Sequence, residues 1–316
     1  LKLQTNIPLS KEPRHPIDYD SKLFLLGSCF SENIGNKLTY FKFQSVQNPF
    51  GILFHPKAIE KLITDAMNDR EFKEDDLFYL NGRYHSFDAH SQLSNPSKEE
   101  MLRNLNQAIQ TTKDQIHKAS HTLITLGTAW VYQHIESDII VANCHKVPQK
   151  KFLKELLSVD EITGSLESMI ALIRDINPKV NFIFTVSPVR HLKDGFVENQ
   201  RSKAHLIAAV HRVVEPRKRI FYFPSYEILM DELRDYRFYK EDMIHPNSIA
   251  INYIWEKFSE CWITETATQI LKQIDSIQKR LQHKPFNSNS QEHEKFLQKL
   301  SNDIHELQVS HPNITF

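Results

Sequence analysis

An α/β fold, a parallel sheet covered by helices on both faces, is predicted for this chain by three observations. Four short apolar runs, Lys22–Leu26, Thr122–Leu126, Asn181–Val186 and Ile220–Phe223, have the length of buried strands and lack the polar alternation of half-exposed ones. Amphipathic helical stretches separate them, and this alternation produces parallel crossovers and strands buried on both faces. Three of the runs lead straight into polar segments, Gly27–Phe30, Gly127–Trp130 and Ser187–His191. Ligands in such folds sit beyond the carboxyl ends of strands, so these segments should meet at one rim.

In chain order, residues 1–21 are polar and proline-punctuated, an extended lead-in to the first strand. After the Gly27 turn, Ile34, Leu38 and Phe41 recur at helical spacing. Asn48–Gly51 reads as a loop, and Pro56–Met67 as a helix with Ile59, Leu62, Ile63 and Ala66 on one face. Asn81-Gly82 between Phe78–Leu80 and Arg83–Phe87 is a hairpin signal. Asn95-Pro96-Ser97 starts a long helix, Lys98–Ala119. Trp130–Gln133 and Ile139–Ala142 form a second expected hairpin. Helices are expected at Asp160–Ile176, Ser202–Val214 and Ser225–Leu233, and a final core helix capped by Asn247 or Ser248 runs to about Cys261. Beyond Trp262 two apolar stripes, Ile270 to Leu281 and Phe296 to Leu307, flank the polar stretch His283–Gln291. The division is therefore an α/β domain over 1–262 and a helical hairpin over 263–316, packed on the domain or on a second copy in a homodimer.

Lysine plus arginine equals aspartate plus glutamate at 39 each, so no net charge favours nucleic acid or an anionic membrane as partner. No stretch reaches the ~20 apolar residues of a membrane span. Cys29, Cys144 and Cys261 are an odd set without paired spacing, which argues against a disulfide framework and for a reducing compartment. Together with the absence of an apolar run in the first 20 residues, this makes cytoplasmic the expected location. There is no C-x-x-C, H-E-x-x-H, phosphate loop or G-x-G-x-x-G, so neither metal nor nucleotide cofactor is expected.

Chemistry concentrates in two segments. In Asp242-Met243-Ile244-His245 the spacing lets the carboxylate reach the histidine Nδ1, leaving Nε2 as a general base; the alternative is an ordinary helix-entry loop. In Gly27-Ser28-Cys29-Phe30 a strand feeds a helix N-terminus, whose field favours a thiolate and whose N–H groups suit an oxyanion. Cys29 is thus a candidate nucleophile; the alternative is a structural cysteine in a tight turn. Asn143-Cys144-His145-Lys146, Arg190-His191, and Asn199 and Lys203 on the following helix are candidates for binding substrate. For Asn199 and Lys203 the alternatives are helix capping and a solvated lysine.

The segment G-S-C-F-S-E-N-I-G at Gly27–Gly35 resembles the signature of the GSCFA family, grouped with the SGNH (GDSL-type) hydrolases. Further matches are N-P-F-G-I-L at Asn48–Leu53, L-G-T-A-W at Leu126–Trp130, N-C-H-K at Asn143–Lys146, S-P-V-R-H at Ser187–His191 and D-M-I-H-P at Asp242–Pro246. The resemblance spans roughly Pro8–Trp262 and implies a three-layer α/β/α sandwich, with ester, thioester or acyl-transfer chemistry. Laid on the superfamily's G-D-S, the nucleophile falls on Cys29, with Ser28 as the alternative one register earlier. Gly51 takes the place of an oxyanion glycine. The superfamily's oxyanion asparagine is replaced by Ala129, for which Thr128 or Trp130 would have to substitute. Asp242 and His245 match directly.

The expected function is an acyl ester or thioester hydrolase, or an acyltransferase, using Cys29, His245 and Asp242 on a small-molecule or carbohydrate acyl substrate. The alternative is a non-catalytic protein that binds a glycan or acyl ligand on the same fold.

Overall fold

The computed structural model describes residues 5–286 and 290–316. The first residues of the expected lead-in, 1–4, and residues 287–289 of the expected interhelical stretch lie outside the described residues. Among these residues ten strands are interspersed with helices: β1 (Lys22–Gly27), α1 (Cys29–Tyr40), β2 (Gln44–Gln47), α2 (Pro56–Met67), β3 (Phe78–Leu80), β4 (Arg83–His85), α3 (Lys98–Lys118), β5 (His121–Leu126), β6 (Trp130–His134), β7 (Ile139–Val141), β8 (Phe152–Leu156), α4 (Val159–Ile176), β9 (Asn181–Val186), α5 (Phe196–Val213) and β10 (Ile220–Tyr222). A single turn α6 (Ser225–Glu227), α7 (Ser248–Trp262), α8 (Glu265–Leu281) and α9 (Gln291–Ser310) complete the chain.

The fold is mixed α/β, as expected, around a five-stranded parallel sheet in the order β10-β9-β5-β1-β2. Successive strand residues face opposite ways, so one sheet feeds two cores. Phe24, Leu26, Ile124, Phe182 and Phe184 meet the apolar faces of α2 to α5. Leu23, Leu25, Leu123 and Ile183 meet α1, α7, α8 and α9. The last two helices pack on their own chain: Ile270, Leu271, Ile274, Ile277, Leu300 and Leu307 all enter this second core. Tyr40 Oη donates to Asp275 Oδ1 at 3.0 Å across the same seam.

Four elements differ from the sequence reading. The fifth parallel strand, β2, has the sequence QSVQ and lies at the sheet edge, where burial on both faces is not required and no apolar run marks it. A third strand, β8, joins β6 and β7 in a small antiparallel sheet. Helix α5 begins six residues early, at Phe196, with Gly195 at φ +97° as its N-cap; Phe196 and Val197 are exposed and break the amphipathic pattern. The stretch Ile228–Leu233 winds as a π-helix after α6 instead of continuing as an α-helix.

Helix α2 carries an unusual cap. His55 Nδ1 accepts from the Ala58 N–H at 3.1 Å, and Nε2–H donates to Val141 O at 3.0 Å. Both ring nitrogens are therefore committed to the neutral tautomer. Burial pushes this imidazole down to about 4. The unfolded chain takes up the proton near pH 6.5 while the folded chain resists it, so His55 stabilises fully above that pH and the contribution is lost as pH falls toward 4. Going from pH 7 to pH 5 should cost the protein about 2 kcal/mol through this residue. Urea titrations at the two pH values should show the difference shrinking by that amount in His55→Asn; an unchanged difference would rule out this origin.

Candidate active site

The strand order reverses direction at β1, which has β2 on one side and β5 on the other. Crevices at such points, beyond the carboxyl ends of the strands, are where open α/β sheets bind ligands. Here the crevice lies at the ends of β1 and β5, where Gly27–Cys29 and Gly127–Thr128 emerge side by side. Gly27 adopts φ +127° and its N–H donates to Asn48 Oδ1 at 2.9 Å. Ser28 N–H then donates to Thr125 O at 3.0 Å, and the chain enters α1.

The two candidate nucleophiles are treated differently by this turn. Ser28 is fully buried and serves as the N-cap of α1, its Oγ accepting from the Phe30 N–H at 3.3 Å. Cys29 is the first helical residue and is partly buried. At that position the backbone N–H has no preceding helical carbonyl to donate to. Burial and Glu32 push the thiol up, against the opposing charges of Lys203 and Lys240. The resting group is a thiol, contrary to the expectation of a thiolate.

Asp242 organises its own loop. One carboxylate oxygen accepts from the N–H groups of Ile244 (2.8 Å) and His245 (2.9 Å), while Met243 is held at φ +57°. The other oxygen receives His245 Nδ1 at 2.7 Å. Those three bonds hold the Asp242 carboxyl well below the usual carboxylate range. Lys240, whose charge reaches Cys29, ties this loop down through its N–H to His245 O at 2.8 Å. Arg190 braces the same loop, stacking over Tyr239 at 4.1 Å while its N–H donates to Ile244 O at 3.2 Å, and it lines a separate cleft of about 460 Å³ with Tyr236 and Tyr239.

The donors expected to hold an oxyanion are committed elsewhere. Gly51 N–H closes a turn onto Asn48 O at 2.8 Å. Thr128 Oγ1 accepts from the Trp130 N–H and pairs with Ser202 Oγ, both at 3.0 Å. Trp130 Nε1 donates to Glu198 O at 3.2 Å. Each bond is set by a turn or a tertiary approach that the sequence pattern does not display.

Of the candidate binding residues, His145, Lys146 and His191 line a cleft of about 400 Å³, with Thr128, Trp130 and Cys144. His145 is buried, its Nε2 paired with Ser86 O at 2.7 Å, and burial lowers it to about 4. Lys203 is neither solvated nor in the cleft. Its Nζ is fully buried and donates to Gly127 O and Ser187 O, both at 2.7 Å, tying together the ends of β5 and β9. Burial pushes it down to about 7. Asn199 is buried and points its Oδ1 at the His191 N–H, 2.8 Å away, so it positions His191. Among the described residues no cluster of three or more His, Cys, Asp or Glu is arranged to hold a metal ion, and no helix is long and apolar enough to cross a membrane.

Sequence comparison matches the GSCFA family over residues 22–258 and the GSCFA domain protein, C-terminal domain, over residues 274–316. No curated protein matches the chain. Among solved structures the chain is similar to a carbohydrate esterase family 3 from Talaromyces cellulolyticus, at 11% identity and TM-score 0.38, over 81% of this chain and 99% of that one. It is also similar to an acetyl esterase mutant with acetate ion, at 13% identity and TM-score 0.36, over 80% of this chain and 99% of that one.

Proposed function

The chain belongs to the GSCFA family, and on that premise we propose that it is an acyl ester or thioester hydrolase, or an acyltransferase, working through Cys29, His245 and Asp242. The observation that carries the reading is the 2.7 Å pairing of His245 Nδ1 with Asp242 Oδ2, in a loop tied to Lys240, whose charge reaches the partly buried Cys29 thiol. The pairing selects the tautomer with Nε2 free to take a proton. Because the Cys29 thiol is held protonated, a base is required.

In this mechanism His245 Nε2 removes the thiol proton as Sγ bonds to the acyl carbon, and the carbonyl π pair moves onto oxygen. The Cys29 N–H, at the start of α1, faces the charge that develops there. Collapse restores the C=O, breaks the bond to the leaving group and passes the His245 proton to it. Water, or an acceptor hydroxyl or amine, then attacks the Cys29 thioester; its proton goes to His245, the S–C bond breaks, and the thiol is reformed. Asp242 stabilises the transient imidazolium. The same D-x-x-H loop supports reading the site as one of the SGNH type.

Intact-mass spectrometry after exposure to p-nitrophenyl acetate tests the reading. One acetyl adduct, present in wild type and Ser28→Ala and lost in Cys29→Ala, is expected. An adduct lost only in Ser28→Ala would move the nucleophile to Ser28. A second reading, a glycan- or acyl-ligand-binding protein, draws support from the raised thiol and the committed donors of Gly51, Thr128 and Trp130. It predicts ligand-dependent thermal stabilisation without adduct or turnover.

A further inference from the structure

We infer that His191 is a catalytic residue of this site, its neutral imidazole donating from Nε2–H to the oxyanion in place of the asparagine amide that Ala129 cannot supply. The inference rests on the acyl-transfer reading and deepens it.

Four observations lead there. His191 Nε2 is buried and has no hydrogen-bond partner among the described residues. A buried polar atom left unpaired costs roughly 1–3 kcal/mol, so it marks a position where something else is to be bound. Its place is defined by Gly127: a Cβ there would lie 3.3 Å from Nε2, 3.2 Å from Ser28 Cβ and 3.0 Å from Phe54 O. Nε2 thus converges with the residue that precedes Cys29 over a single glycine, and Phe54 O is already taken by the N–H groups of Gly127 and Thr128.

The ring is also held in place and borders a cleft. The backbone N–H of His191 donates to Asn199 Oδ1 at 2.8 Å, and the imidazole meets the Phe54 ring edge-on at a centroid distance of 5.6 Å. The same residue lines the 400 Å³ cleft. By contrast Ala129, where the superfamily's asparagine would fall, is wholly buried and its N–H is spent on Ser202 Oγ at 2.7 Å.

A hydrogen-bond donor to an oxyanion should not itself exchange the proton. Burial pushes His191 down to about 3, helped by the charges of Lys203 and His245, so it stays neutral throughout the working pH range. A neutral imidazole kept so by its surroundings is an effective electrophile toward a developing oxyanion. The buried Lys203 reinforces this by opposing any charge on the ring. His245, paired with Asp242, keeps the base role, and the two histidines divide the work by environment.

The test compares His191→Gln, which retains an amide donor, with His191→Leu, which has similar bulk and none. Steady-state hydrolysis of p-nitrophenyl acetate and of an acetyl thioester is measured, with circular dichroism to verify folding. His191→Leu should lose about 10²–10³-fold in kcat, and His191→Gln should recover most of it. Folded variants both at wild-type rates would overturn the inference while leaving the acyl-transfer reading intact. A folded His191→Gln as slow as His191→Leu would overturn it too, by making His191 a proton carrier. Absence of both turnover and Cys29 adduct in the wild type would instead fail the underlying reading, and this inference with it.

Discussion

Gly27→Ala should leave little or no folded protein. At φ +127° the residue already occupies backbone space that L-amino acids avoid, and an added Cβ would lie 2.1 Å from Thr125 O and 2.8 Å from its carbonyl carbon. Neither neighbour can yield cheaply. Gly27 pairs in register with Thr125 at the middle of the parallel sheet, and Thr125 O accepts the Ser28 N–H that launches α1. Relieving the clash would separate β1 from β5 and tilt α1. We expect a loss above ~4 kcal/mol, in the range reserved for strained or overpacked sites, against a typical total of about 5–15 kcal/mol. The contrasting substitution is Gly164→Ala in α4, where an added Cβ meets open space and helix propensity should raise stability by about 0.5–1 kcal/mol. Urea unfolding of both variants beside the wild type decides the matter. A Gly27→Ala protein within ~1 kcal/mol of wild type would show that the turn tolerates a side chain.

That glycine also shows why the fold was legible in the sequence to the extent it was. Strands buried on both faces must be continuous apolar runs, and β1, β5, β9 and β10 announced themselves for that reason. The edge strand β2 has no such obligation, and its QSVQ sequence is silent. The candidate segments were readable because each is local: Asp242 and His245 lie three residues apart in one loop, and Ser28 and Cys29 are adjacent, with burial and the cap bond to Phe30 setting Ser28 apart. What was not readable is allocation across space. Whether Gly51 has a free N–H depends on a turn to Asn48; whether Lys203 is solvated depends on where β5 and β9 end relative to α5. The closeness of His191 Nε2 to the Ser28–Gly127 corner joins three segments far apart in the chain, and no spacing pattern encodes it.

On the acyl-transfer reading proposed above, Cys29→Ala should lower kcat by at least ~10³-fold on any acyl substrate the protein turns over, with KM little changed, because an attacking atom contributes only in the transition state. The size of the loss follows from how the thiol is kept. Burial and Glu32 hold it protonated, so no standing thiolate waits at neutral pH and the proton must leave during attack. The nucleophile and its base then act as one unit, and removing either should cost about as much as removing both. Asp242→Asn is the sharper probe of the same coupling. With its Oδ1 held by the Ile244 and His245 N–H groups, the asparagine presents its NH2 to Nδ1, which must then accept, so the proton moves to Nε2 and the free base is lost; in comparable geometry this costs about 10⁴-fold in kcat. The double variant Cys29→Ala with Asp242→Asn should be no slower than the worse of the two singles. Multiplicative losses would mean that Asp242 and Cys29 act independently, and that the thiol does not depend on His245 for its deprotonation.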